Sequence, residues 1–129
     1  MVAEKTIRFQ GKNKDLGVLG QQIAAKLQSD GYKVQSTTSP TAGTVIQAAK
    51  AGILRDIIDA DRVFSIHISG QPNDFTVRVG IGKFVQNLAV MAVEAVLLTP
   101  LFLAVDVPEM LWTTHVEKGV IQEITQVIG

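Results

Sequence analysis

Residues 84–105 run for 22 positions with a single charged side chain, Glu94, and a single helix breaker, Pro100. A stretch of this kind has to be covered, and the cover can be the chain's own sheet, a second copy, or a bilayer. Residues 88–105 sit near the lower limit of length for crossing a hydrocarbon core. Their five Leu, four Val and one Phe contribute ~3 to 6 kcal/mol toward insertion, against which an ionised acid near the middle sets ~2.5 kcal/mol or more. Thr99 and Pro100 erode the gain further, so insertion is close to break-even.

The chain before this segment has a different period. Residues 6–10 alternate polar and apolar side chains as a half-buried strand does, and stop at Gly11. Leu16, Leu19, Ile23 and Leu27 then recur at helical spacing, with Asn13 or Asp15 as the cap and Asp30-Gly31 as a left-handed stop. Residues 32–38 and 44–50 are rich in β-branched side chains and flank a turn, which predicts a hairpin. Residues 51–61 form a short helical connection. Residues 62–69 and 75–81 place Phe64, Ile66 and Ile68, and then Phe75, Val77, Val79 and Ile81, on one face each, joined by a polar turn. In an odd-sum register Ile68 lies opposite Val77, and His67 faces Arg78.

After the apolar segment, 106–109 have the spacing of a capping box. Met110, Leu111, Val116, Val120, Ile121, Ile124 and Ile128 mark a final amphipathic helix. The expected architecture is a single α+β domain over 1–129, in the order β-α-β-β-β-β-α(α). An antiparallel meander is covered on one face by helices, residues 1–83 form the sheet module, and 84–129 supply the helical part. This element order resembles the TATA-box-binding-protein-like folds. The runs Gly52-Ile53-Leu54-Arg55-Asp56 and Phe75-Thr76-Val77-Arg78-Val79-Gly80-Ile81-Gly82-Lys83 are similar to small bacterial domains of no assigned function. The resemblance implies a fold and brings no catalytic motif with it.

Charge and composition narrow the function. Twelve basic and twelve acidic residues cancel, so no global field draws the chain onto nucleic acid. DNA binders of the resembled fold use an open sheet with apolar wedges, whereas the outer face here presents small polar residues, with Ser65, His67 and Arg78 as its candidate polar site. The balance is uneven along the chain: residues 1–83 carry eleven Lys/Arg against seven Asp/Glu, and 84–129 carry Lys118 against five acids. The lack of cysteine removes disulfides and thiolate chemistry and suits a reducing compartment, and the N-terminal residues lack the basic and apolar runs of a secretory signal. A cytoplasmic location is expected, with membrane association as the variant.

No catalytic constellation emerges. Gly80-Ile81-Gly82-Lys83 resembles part of a phosphate cradle, but Val85 and Phe84 stand where the dinucleotide and P-loop patterns need Gly and Ser or Thr. Asp56, Asp59 and Asp61 lack the spacing of an EF-hand loop, and His67 and His115 have no partner at a zinc interval. The hydroxyls lack a base, so no catalytic residue, cofactor or metal is expected. The expected function is a non-enzymatic, self-associating structural domain. Its contact surface comprises Leu88, Met91, Ala92, Ala95, Leu98, Leu101 and Phe102 together with the last helix. The rivals are a membrane-associated module using the same segment and a carrier of a small apolar ligand or lipid held between sheet and helix.

Overall fold

A computed structural model describes residues 4–39, 42–49, 62–85, 87–98, 102, 110 and 112–129. The fold is α+β, with a five-stranded antiparallel sheet in the order β1-β5-β4-β3-β2. The strands are β1 (Glu4–Gln10), β2 (Lys33–Ser39), β3 (Gly43–Ala49), β4 (Arg62–Gln71) and β5 (Asp74–Lys83). Helix α1 (Leu16–Ser29) follows β1. After β5 come a 3-10 turn (Leu88–Val90), the four-residue helix α2 (Val93–Val96), a π-helical stretch (Trp112–Ile121) and α3 (Gln122–Ile128).

Local signals set the ends of α1. The Asp15 carboxylate accepts the Val18 N–H at 3.0 Å and caps the first turn. At the other end Gly31 takes a φ of 95°. Its N–H reaches the Gln28 carbonyl while that of Tyr32 reaches Leu27, closing the orphan carbonyls as a Schellman motif does. The helix thereby turns Leu19, Ile23 and Leu27 onto the sheet.

The β4–β5 register sets Ile68 opposite Val77 and His67 opposite Arg78, as the alternation predicts. β4 runs two residues and β5 one residue closer to their turn than expected, leaving only Pro72 and Asn73 between them. Gly43 opens β3 at a φ of 86°, where a Cβ would stand 2.0 Å from the Ile68 carbonyl oxygen. Only glycine lets the β2–β3 hairpin lie this close to β4.

One sheet face carries the main core: Ile46, Ala48, Phe64, Ile66, Ile68, Phe75, Val77, Val79 and Ile81 pack beneath α1 and the C-terminal helix. That helix contributes Trp112, Val116, Val120, Ile121, Ile124 and Ile128, all buried. Its inward phase differs from expectation at the start, since Met110 is 78% exposed and Trp112 is 5% exposed. Six residues before Val116 lies well off its face at the α or π period, whereas four residues before shares it. The last helix is therefore part of the monomer core, and its apolar stripe is not free to serve as a contact surface.

The described residues of the apolar segment, expected to belong to the helical part, do not form one continuous helix. They form the 3-10 turn and α2, and lie on the other face of the sheet, where Leu88, Val93 and Val96 pack on Val45 with Val85, Met91 and Phe102 beside them. Helices thus cover the main core face, and a thin apolar layer covers part of the second face. The helical connection 51–61 with its three aspartates, the Pro100 break, Leu101, the capping box at 106–109 and the His115 side chain lie outside the described residues.

Candidate functional site

The second face is built from the residues that alternate with the core positions. These are Gln35, Thr37 and Ser39 on β2, Val45 and Gln47 on β3, Ser65 and His67 on β4, and Thr76 and Arg78 on β5. Polar side chains on such a face need partners once a chain covers them. Gln47, 1% exposed, makes four hydrogen bonds. Its amide nitrogen donates to the Ser65 hydroxyl at 3.2 Å and to the Lys83 carbonyl at 3.0 Å. Its amide oxygen accepts the Val85 N–H at 2.9 Å and the Gln35 amide at 3.3 Å. Gln35 donates in turn to the Val85 carbonyl at 2.6 Å. Two glutamine side chains thereby grip the backbone on both sides of Phe84 and turn the chain back over the sheet.

The β2 strand extends this grip. The Thr37 hydroxyl donates to the Met91 carbonyl at 2.7 Å, and the Ser39 hydroxyl donates to the Glu94 carboxylate at 2.6 Å. Thr37 and Ser39 are two apart on one face, and together they pin the 3-10 turn and α2 along β2.

The sequence-predicted polar site, Ser65, His67 and Arg78, does lie on this face, with each member engaged. Ser65 is buried beneath Gln47. His67 donates from Nε2 to the Ala42 carbonyl at 2.9 Å, closing the β2–β3 turn. Arg78 pairs in bidentate fashion with Glu4 of β1, its Nη2 2.8 Å from Oε2, and its guanidinium carbon lies 4.0 Å from the centre of the Phe102 ring. The Arg78 hydrogen bond holds the Glu4 carboxyl below its ordinary pKa, and Glu4 raises that of Arg78. At the β1–β5 edge Arg8 and Asp74 form a second bidentate pair, which likewise lowers the Asp74 pKa.

The predicted contact residues divide into two layers. Leu88 is fully buried and Met91 and Phe102 are half-buried, so they hold the segment to the sheet. Ala92 and Ala95 are exposed, and Leu98 is 89% exposed. Beside them Val90 is 85% exposed, with Leu97 and Phe84 also on the surface. Sequence reasoning overlooked Gln47, although a long neutral amide inside an apolar strand, with Gln35 in the paired strand, is a signal of a buried polar contact.

Gly80, Ile81, Gly82 and Lys83 all belong to β5, with the first three buried, so no strand-to-helix loop exists there to hold a phosphate. Among the described residues no group of three His, Asp or Glu is placed to hold a metal ion, and no helix is long and apolar enough to cross a membrane. A cavity of about 210 Å³ opens beside Gln35, Gln47, Val63 and Phe84, below the ~300 Å³ at which small-molecule sites begin. No protein-family model, curated protein or solved structure matches the chain.

Proposed function

We propose that the chain is a non-enzymatic, self-associating structural domain whose contact surface is the outer side of residues 84–98. One observation carries this reading: the segment is pinned to the sheet by buried Leu88, Val93 and Val96, yet Val90 and Leu98 are 85% and 89% exposed, with Leu97 and Phe84 also at the surface. An isolated exposed leucine is ordinary; several on one short, tethered segment resemble an interface. The polar chemistry beneath is consumed by structural hydrogen bonds, which favours an assembly role over catalysis.

The same side chains would also meet a bilayer surface, and this makes peripheral membrane contact the second reading. A carrier of an apolar ligand draws less support: the cavity beside Phe84 is small, and a larger one of about 760 Å³ is walled in good part by polar residues, among them Asp15, Thr38, Ser39 and Gln71. The Leu98→Glu variant separates folding from association. Leu98 carries little of the monomer core, so the variant should melt within ~0.5 kcal/mol of the wild type while its association weakens at least ~10-fold. Unchanged association would remove Leu98 from the contact surface. Co-sedimentation of the wild type with phosphatidylserine vesicles, lost in the variant, would instead favour the membrane reading.

A further inference from the structure

The two edges of the sheet are defended unequally. The outer edge of β1 carries Glu4, Lys5 and Arg8, each in an ion pair: Glu4 with Arg78, Lys5 with Glu117 at 3.8 Å, and Arg8 with Asp74 at 2.7 Å. Charged side chains of this kind discourage strand-to-strand association. At the opposite edge β2 reads Lys-Val-Gln-Ser-Thr-Thr-Ser, without a proline and with one charge. Among the described residues no strand pairs with its outer side. Helix α1 lies over one face of β2, and the 3-10 turn and α2 lie over the other.

The geometry points to a second copy of this chain as the occupant of that edge, joined by antiparallel β2–β2 pairing about a twofold axis at Ser36. This inference rests on the self-association proposed above and specifies its interface. The argument is one of charge and register. Pairing all seven residues of Lys33–Ser39 with their symmetry mates sets Lys33 opposite Ser39, Val34 opposite Thr38, Gln35 opposite Thr37, and Ser36 opposite itself. Lys33 and Ser39 point to the same sheet face, the one carrying α2. The Ser39 hydroxyl already holds the Glu94 carboxylate at 2.6 Å, so each Lys33 ammonium arrives beside the Glu94 of the other copy. Two equivalent ion pairs form per dimer, and every other cross-strand pair is uncharged. Val90, next to the Met91 carbonyl that Thr37 binds, brings an exposed apolar side chain beside the same seam.

A charge-reversal cycle tests the register. The wild type, Lys33→Glu, Glu94→Lys and the double variant are compared by sedimentation velocity over a concentration series, with circular dichroism melts to check folding. Both side chains are exposed. Lys33→Glu should melt with the wild type, while Glu94→Lys and the double variant lose the Ser39 hydrogen bond and should melt alike, within ~1 kcal/mol of it. Each single reversal places two like-charged pairs across the seam and should weaken dimerisation by ~10-fold or more, and the double reversal should return it to within ~3-fold of wild type. A wild-type dimer that neither single reversal weakens, or a double variant weaker than both singles, overturns the β2 seam and leaves self-association standing. A wild type that is monomeric throughout overturns both. If a reversal at Lys33 failed to fold, Lys33→Ser and Glu94→Gln would carry the same comparison, and each must weaken the dimer.

Discussion

Replacing Gln47 with methionine keeps nearly the same volume and removes every hydrogen bond through which β3 holds the returning chain. Four contacts are lost: those to Ser65, the Lys83 carbonyl, the Val85 N–H and the Gln35 amide. A typical internal hydrogen bond is worth about 1 kcal/mol net, and a buried group left unpaired costs ~1 to 3 kcal/mol. Lys83 is exposed and Val85 half-buried, so the cost of freeing their backbone groups is taken at the low end of that range. Ser65 is fully buried and Gln35 keeps its bond to the Val85 carbonyl. The methionine side chain recovers part of the loss by apolar burial against Val45 and Val63. The net cost should be ~2 to 3 kcal/mol, which for a chain of this size lowers the melting midpoint by about 10 °C. Calorimetric melting would measure it, and amide exchange at Val85 should accelerate more than exchange in β4. A variant within ~0.5 kcal/mol of wild type, with Val85 still protected, would refute the tether.

Other perturbations separate the two sides of the C-terminal helix and the β1–β5 edge. Trp112→Ala should cost ~3 to 5 kcal/mol in a denaturant titration, whereas Met110→Ala should stay within ~0.5 kcal/mol; equal effects would contradict the helix phase. The Glu4 pKa is depressed by the Arg78 hydrogen bond, so the pair stabilises the fold fully above the ordinary carboxylate range, and the contribution is lost as pH falls through the lower folded value. Glu4→Gln should therefore flatten the acid side of the stability profile, most visibly below the ordinary glutamate pKa, and an unchanged profile would rule the pair out as its cause.

Much of the fold was legible because its signals are local. The β4–β5 alternation is enough to place Phe64, Ile66 and Ile68 against Val77, Val79 and Ile81, since a one-residue slip would turn all of them to the outer face. Asp15 and Gly31 announced the ends of α1 by backbone chemistry alone. The position of residues 84–98 was not legible. Its determinants are single contacts over long sequence separations, from Gln47 to Val85, Thr37 to Met91 and Ser39 to Glu94, and no periodicity encodes them. Run length suggested a helix there, yet the segment is drawn into short turns by hydrogen bonds from the glutamines and hydroxyls of the sheet. Met110 was misplaced for the opposite reason: its hydropathy was read without its angle, and Trp112 holds the position that the helix phase requires.

Light scattering after size exclusion, without detergent and across a concentration series, tests self-association most directly. The account predicts a molar mass that rises from 13.9 kDa toward twice that value as concentration increases. A mass fixed at 13.9 kDa at every concentration would contradict it and leave the exposed face of residues 84–98 to another partner.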